Sequence, residues 1–160
     1  MNIFTNEKQF PLSIEMKKAI LKSKNINFVV SFIKESGVNL LKSDFEFALN
    51  EGATIKIITS DYLNITEPNA LFKLLFDFNN KIKIKIIDTQ KIKSSFHPKC
   101  YIFEYKNCDS ENGTGEIIIG SSNLSKSALI DGVEWNYKIT QKANNNDYLK
   151  FKEYFNDLYN

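Results

Sequence analysis

With 160 residues, 42% of them hydrophobic, the chain can bury a sizeable core as a single domain spanning 1–160. A net charge of +2 is too small to mark a polyanion partner by itself, so local charge must be weighed instead. No apolar run is long enough to cross a bilayer and no charged-then-apolar leader occurs, which leaves no membrane partner and points to a soluble, cytoplasmic protein.

Apolar residues Ile14, Met16, Ile20 and Leu21 predict a helix over Ser13 to Lys24, although their spacing is uneven. A β-branched and aromatic run from Ile26 to Ile33 reads as a strand. Val38, Leu41, Phe45 and Ala48 recur at helical spacing and Gly52 sits where a helix would stop, giving an amphipathic helix over Val38 to Asn50. A strand at Thr54 to Thr59 follows. Thr66 is placed to cap the next helix, Pro68 fits its first turn, and Leu71, Leu74, Leu75 and Phe78 form its apolar stripe.

Strands are expected near Ile82 to Ile87 and from His97 to Tyr105. In the first of these Ile82, Ile84 and Ile86 point inward and alternate with solvent-facing Lys81, Lys83 and Lys85. Asn107 to Gly115, rich in Asn, Asp, Ser and Gly, reads as a hairpin loop, and Glu116 to Ile119 as a short strand ending at Gly120. Ser125 starts a brief helix through Ile130. Trp135, Tyr137 and Ile139 alternate with Glu134, Asn136 and Lys138, the pattern of a strand with one buried face; Asn136 shares the side of Glu134 and either assists it or is simply solvent-exposed. Tyr148, Phe151, Phe155 and Leu158 give a closing helix over Asp147 to Tyr159 an apolar, core-facing side. Helices alternating with short apolar strands imply an α/β fold, a mixed β-sheet flanked by helices on both faces. Cys100 in a strand and Cys108 in the loop read as reduced thiols without zinc spacing.

The chain owns one histidine, in His97-Pro98-Lys99, followed by Gly120-Ser121-Ser122-Asn123-Leu124-Ser125. Side chains alternate along extended backbone, so His97 and Lys99 share one side, as do Ser121 and Asn123. An imidazole, an ammonium and two polar groups converging on one spot suit a phosphodiester: the cation and donors hold the phosphate while the imidazole attacks. Lys91 and Lys93, leading into the histidine strand, are the best placed lysines for backbone phosphates.

These residues resemble the phospholipase D superfamily, whose signature is H-x-K, four residues, an Asp, and later G-S-x-N. The resemblance implies that His97 is the nucleophile that becomes a phosphohistidine and that Lys99, Ser121 and Asn123 bind phosphate oxygens. Glu134 falls where nucleases of the superfamily carry the acid that orients the histidine. Glu104 replaces the usual Asp; alternation puts it on the side opposite His97, in a structural role. Thr59 to Pro68, the Gly-Ser-Ser-Asn-Leu-Ser run and Glu134-Trp135-Asn136 are similar to phospholipase D-like domains of bacterial restriction endonucleases and of helicase-associated proteins. That likeness favours nucleic acid, foremost DNA, over lipid, with a helicase or another restriction-system component as companion and with no metal or cofactor. No phosphate-cradling helicase motif occurs in the chain itself.

The superfamily mechanism uses two histidines, so a chain with one is expected to work as a homodimer with a composite site. Asp61 and Tyr62, after a strand end, line a substrate groove or, in the simpler reading, Asp61 bonds nearby backbone N–H groups. Two rival functions stay open: a non-catalytic DNA-binding or dimerisation module, and a magnesium-dependent nuclease in which Asp88 and Glu104 share the ion.

Overall fold

Because strand side chains point alternately to two faces, the apolar runs of this chain fill two cores at once. The computed structural model describes residues 2–6 and 10–160. It has strands β1 (Ile3–Phe4), β2 (Ser23–Val30), β3 (Thr54–Ser60), β4 (Ile82–Ile87), β5 (Lys99–Asp109), β6 (Gly113–Gly120) and β7 (Asn136–Thr140). Helices are α1 (Leu12–Lys22), α2 (Glu35–Asn50), α3 (Pro68–Phe76), α4 (Thr89–Ile92), α5 (Lys126–Ile130) and α6 (Asn145–Tyr159). The strands form one seven-stranded mixed sheet in the order β1-β7-β6-β5-β2-β3-β4.

Ile26, Phe28, Ile55, Ile57, Tyr101, Phe103 and Ile118 pack one face of the sheet against α1, α2, α3 and α5. Their neighbours Val29, Ile58, Cys100, Ile102 and Ile117 pack the other face against Tyr148 and Phe155 of α6. The expected α/β architecture, with helices on both faces, is therefore present. Strands β2, β3 and β4 are mutually parallel, and β5 runs antiparallel to both β2 and β6. As a result the carboxyl ends of β2, β3, β4 and β6 meet the amino ends of β5 and β7 at a single end of the sheet.

Several local expectations need correction. Thr66 does not cap α3: its hydroxyl donates to the Ser60 carbonyl at 2.9 Å, and Glu67 occupies the cap position without a side-chain bond. Glu67 instead reaches across to accept from the Glu35 N–H at 2.7 Å, so it serves the start of α2. The hairpin is tighter than its composition suggests, since β5 runs on to Asp109, whose carboxylate accepts from the N–H groups of Glu111 and Asn112. Cys108 thus lies on a strand, and both thiols are free. On the edge strand β4, Ile82 is buried but Ile86 is 52% exposed.

In β7 the polar set is the buried one. Asn136, Lys138 and Thr140 face inward, while Trp135 just before the strand and Tyr137 within it are exposed. Lys138 is held between Glu15 of α1 and Glu116 of β6, and neither oxygen of the buried Glu116 carboxylate has a hydrogen-bond partner. Burial pushes the Glu116 carboxyl up from its ordinary value.

Glu104 sits mid-β5 on the α6 side, with Lys152 at 2.8 Å, Lys24 at 3.0 Å and Asn25 at 3.1 Å. Asp88 follows the far end of β4, where it accepts from the N–H groups of Gln90 and Lys91. Register carries Glu104 to Asn25, Asn25 to Thr54, and the β3 pairing on to the start of β4, so Asp88 lies about six strand residues further along, roughly 20 Å away. The two carboxylates cannot share a magnesium ion, which removes that rival.

Burial pushes Glu104 up, but the bonds from Lys152, Asn25 and Lys24 outweigh it and hold the carboxyl at about 2, against an ordinary 4.5. Its stabilisation is complete above the ordinary value and is lost as pH falls towards the folded one. Glu104→Gln is expected to cost about 2 kcal/mol near neutral pH, discounted for partial exposure. Denaturant unfolding of both proteins from pH 7 down to pH 3 checks this, and the gap between them should narrow below pH 5.

Candidate active site

His97 and Lys99 enter β5, the central strand, at the end of the sheet where the other strand termini meet. His97 precedes the strand and is exposed; Lys99, its first residue, is half-buried and opposite Val30. The Lys99 ammonium donates to the His97 carbonyl at 2.7 Å, which ties the two motif residues together. Burial pushes the Lys99 pKa down, and the negative charge of Glu134 opposes that shift. Among the described residues Lys99 has no salt-bridge partner, so its charge remains for an anion.

Ser121 and Glu134 meet directly: the Ser121 hydroxyl donates to the Glu134 carboxylate and accepts from the Trp135 N–H at 2.9 Å. Asn123 is nearly buried, and its Oδ1 accepts from the Phe32 N–H at 3.2 Å, beyond the carboxyl end of β2. That bond sets the amide so that its Nδ2 is the group left to donate. His97 lies with its ring edge-on to Tyr62, the centroids 4.6 Å apart. An apolar groove of about 390 Å³ adjoins this end, lined by His97 and Lys99 together with Ile102, Ile119, Phe151 and Phe155.

The placement of Ser121 and Asn123 depends on the residue between them. Ser122 is fully buried, its N–H donates to Asn136 Oδ1 at 3.3 Å, its carbonyl accepts from the Tyr101 hydroxyl at 2.8 Å, and its own hydroxyl donates to the Ala128 carbonyl at 3.0 Å. Asn136 Nδ2 completes the set by donating to Ser122 Oγ at 2.9 Å. Extended backbone that turns Ser122 inward turns both its neighbours away from it. Leu124 then pairs with Ile33, and Gly37 lets α2 approach, since a Cβ there would run into the Leu124 carbonyl.

Sequence reading named the outward residues of this run and missed the inward ones. The alternation that co-orients Ser121 and Asn123 already requires an inward Ser122, but its partners Tyr101 and Asn136 become visible only through the pairing of β5, β6 and β7. Asn136 is buried rather than solvent-facing. Asp61 bonds the Thr89 N–H at 2.9 Å and its hydroxyl at 2.7 Å, which is the simpler of the two readings for it. Lys91 pairs with Asp88 at 3.2 Å with most of its side chain in solvent, and Lys93 is exposed on the same connection into β5.

Asn136→Ala leaves the buried Ser122 N–H without an acceptor. It is expected to destabilise the fold by about 2 kcal/mol and to disorder the Ser121–Asn123 pair. Chemical denaturation measures the first effect; the second is read from the backbone amide resonances of residues 120 to 124.

Residues 15–159 match the family model described as cardiolipin synthase, PLD-like domain. Among solved structures the chain is similar to NucT from Helicobacter pylori, with a TM-score of 0.65 and 16% identity over 91% of this chain and 86% of that one. It is similar to Nuc from Salmonella typhimurium, a phospholipase D family member, with a TM-score of 0.63 and 20% identity over 90% of this chain and 84% of that one. TrmBL2, an archaeal chromatin protein with a novel mode of DNA binding, gives 0.60 and 17% identity over 99% of this chain and 52% of that one. At these identities the likeness is one of fold. No curated protein matches the chain.

Proposed function

The chain belongs to the phospholipase D-like family, and from that premise we propose that it is a metal-independent phosphodiesterase acting on nucleic acid, foremost DNA. The observation that carries this reading is the meeting of His97, Lys99 and the Ser121–Glu134 pair at one end of the sheet, with Asn123 held beside them by Phe32. In the first step an imidazole nitrogen of His97 attacks phosphorus and the P–O bond to the leaving nucleoside breaks. The departing oxygen takes its proton from a second imidazole. In the second step water attacks the phosphohistidine, gives its proton to that second imidazole, and frees His97. Lys99, the Asn123 amide and the Ser121 hydroxyl bind the non-bridging oxygens, whose charge peaks as phosphorus becomes five-coordinate. Lys91 and Lys93 contact flanking phosphates.

The second imidazole comes from another copy of the chain, because each chain has one histidine. A two-fold arrangement brings two His97 residues to one phosphate, one neutral to attack and one charged to donate. The likeness to TrmBL2, a chromatin protein with a novel mode of DNA binding, supports nucleic acid as substrate and also a second reading, in which this chain is a DNA-binding module without turnover. The family description names a lipid enzyme, so phosphatidylglycerol vesicles belong beside DNA in the assay.

Cleavage of single-stranded and duplex DNA is expected to persist in EDTA, since cations of the protein manage the transition-state charge. Loss in chelator with rescue by magnesium overturns the mechanism. His97→Ala is expected to abolish turnover while sparing most DNA affinity, whereas Lys99→Ala weakens both. Binding without cleavage by the wild-type chain selects the module reading.

For the composite site, wild-type chains are mixed with a growing excess of His97→Ala chains. Activity per wild-type chain is expected to fall with the wild-type fraction, because mixed dimers lack one imidazole. Constant specific activity, or a monomer by sedimentation under assay conditions, overturns the dimer.

A further inference from the structure

The resemblance assigns the orientation of the histidine to Glu134, but the Glu134 carboxylate is engaged by the Ser121 hydroxyl. Among the described residues no hydrogen bond is made by the His97 ring, and its aromatic neighbour is Tyr62, with ring centroids 4.6 Å apart and planes 72° apart. Such edge-to-face geometry places the positive edge of one ring against the negative face of the other, and it favours particular ring orientations.

Tyr62 is itself firmly held. Its N–H donates to Ser60 Oγ at 3.2 Å, the Asn64 N–H donates to the Asp61 carbonyl at 2.8 Å, and Asp61 is tied to Thr89. Leu63 and Asn64 adopt left-handed φ angles of 52° and 54°, a conformation that costs energy for residues with a Cβ. The strain brings no packing in return, because the Leu63 side chain is 69% exposed. A turn that is strained, anchored on both sides and not part of the core has its shape set by what it presents, and what it presents to the end of the sheet is the Tyr62 ring.

We propose that Tyr62 is the positioning residue for His97. Its ring limits rotation of the imidazole so that the attacking nitrogen stays directed at phosphorus. This rests on the phosphodiesterase reading above.

Two measurements test it. The single histidine gives one set of imidazole C–H resonances, which the Tyr62 ring current should displace from their free-histidine positions; in Tyr62→Ala they should return there. Identical imidazole shifts in the two proteins overturn the proposal. Turnover is then followed on bis(p-nitrophenyl) phosphate, which has no nucleobase, and on a DNA oligonucleotide. Tyr62→Ala should lower kcat about ten-fold on both substrates with KM nearly unchanged and the unfolding midpoint intact, and Tyr62→Phe should restore kcat, because the ring makes the contact. Unchanged kcat in an active protein overturns the positioning role alone. A rise in KM confined to DNA overturns it in favour of base stacking, and a Tyr62→Phe variant as impaired as Tyr62→Ala overturns it in favour of the hydroxyl. A wild-type chain inactive on both substrates overturns the phosphodiesterase reading and the positioning role with it.

Discussion

The inward turn of Ser122 organises the end of the sheet. Every polar group of that residue is bonded inside the protein, to Tyr101 of β5, Asn136 of β7 and Ala128 of α5. Each bond is modest, and a buried donor or acceptor left without one is costly, so the set acts as a lock rather than as a sum of attractions. Because the lock draws on β5 and β7, it couples the strand that brings Lys99 to the strand that follows Glu134. Displacing any of the three changes where Ser121 and Asn123 project.

Around this lock the strands do the coarse positioning. Parallel β2 and β3 deliver Ser31, Ser60 and Asp61 to the same end that antiparallel β5 enters. Ser60 donates to the Ser31 carbonyl at 2.8 Å and accepts from Tyr62, which links two strand ends to the turn beside His97. The side chains gathered there are borne on short segments leaving rigid strands, which fixes where they project.

The layered fold and the helices were legible in the sequence wherever apolar spacing had one period, as in Val38, Leu41, Phe45 and Ala48, all buried on α2. The motif residues stand out in the sequence because their combination is rare, and the strand order places them at one end of the sheet. Lost to sequence were the features decided by neighbours in space. The alternation of β7 was visible, but of the apolar side only Ile139 packs on a core, while the polar side is buried where Glu15 and Glu116 make a lysine tolerable by surrounding it with opposite charge. Thr66 had the right chemistry for a helix cap and spent it on Ser60 and Ile33 instead. Asp109, read as part of a loop, organises a tight turn through its carboxylate, which side-chain composition alone does not reveal.

The burial of the polar side of β7 also decides what becomes of the single tryptophan. Trp135 directly follows Glu134, its backbone N–H is bonded to Ser121, and its indole is 77% exposed. The protein therefore carries one indole chromophore, next in sequence to Glu134 and hydrogen-bonded through its backbone to Ser121. Its emission colour reports the local field and solvent at that end of the sheet, free of background from other tryptophans, so occupancy of the site can be followed optically in the unlabelled chain.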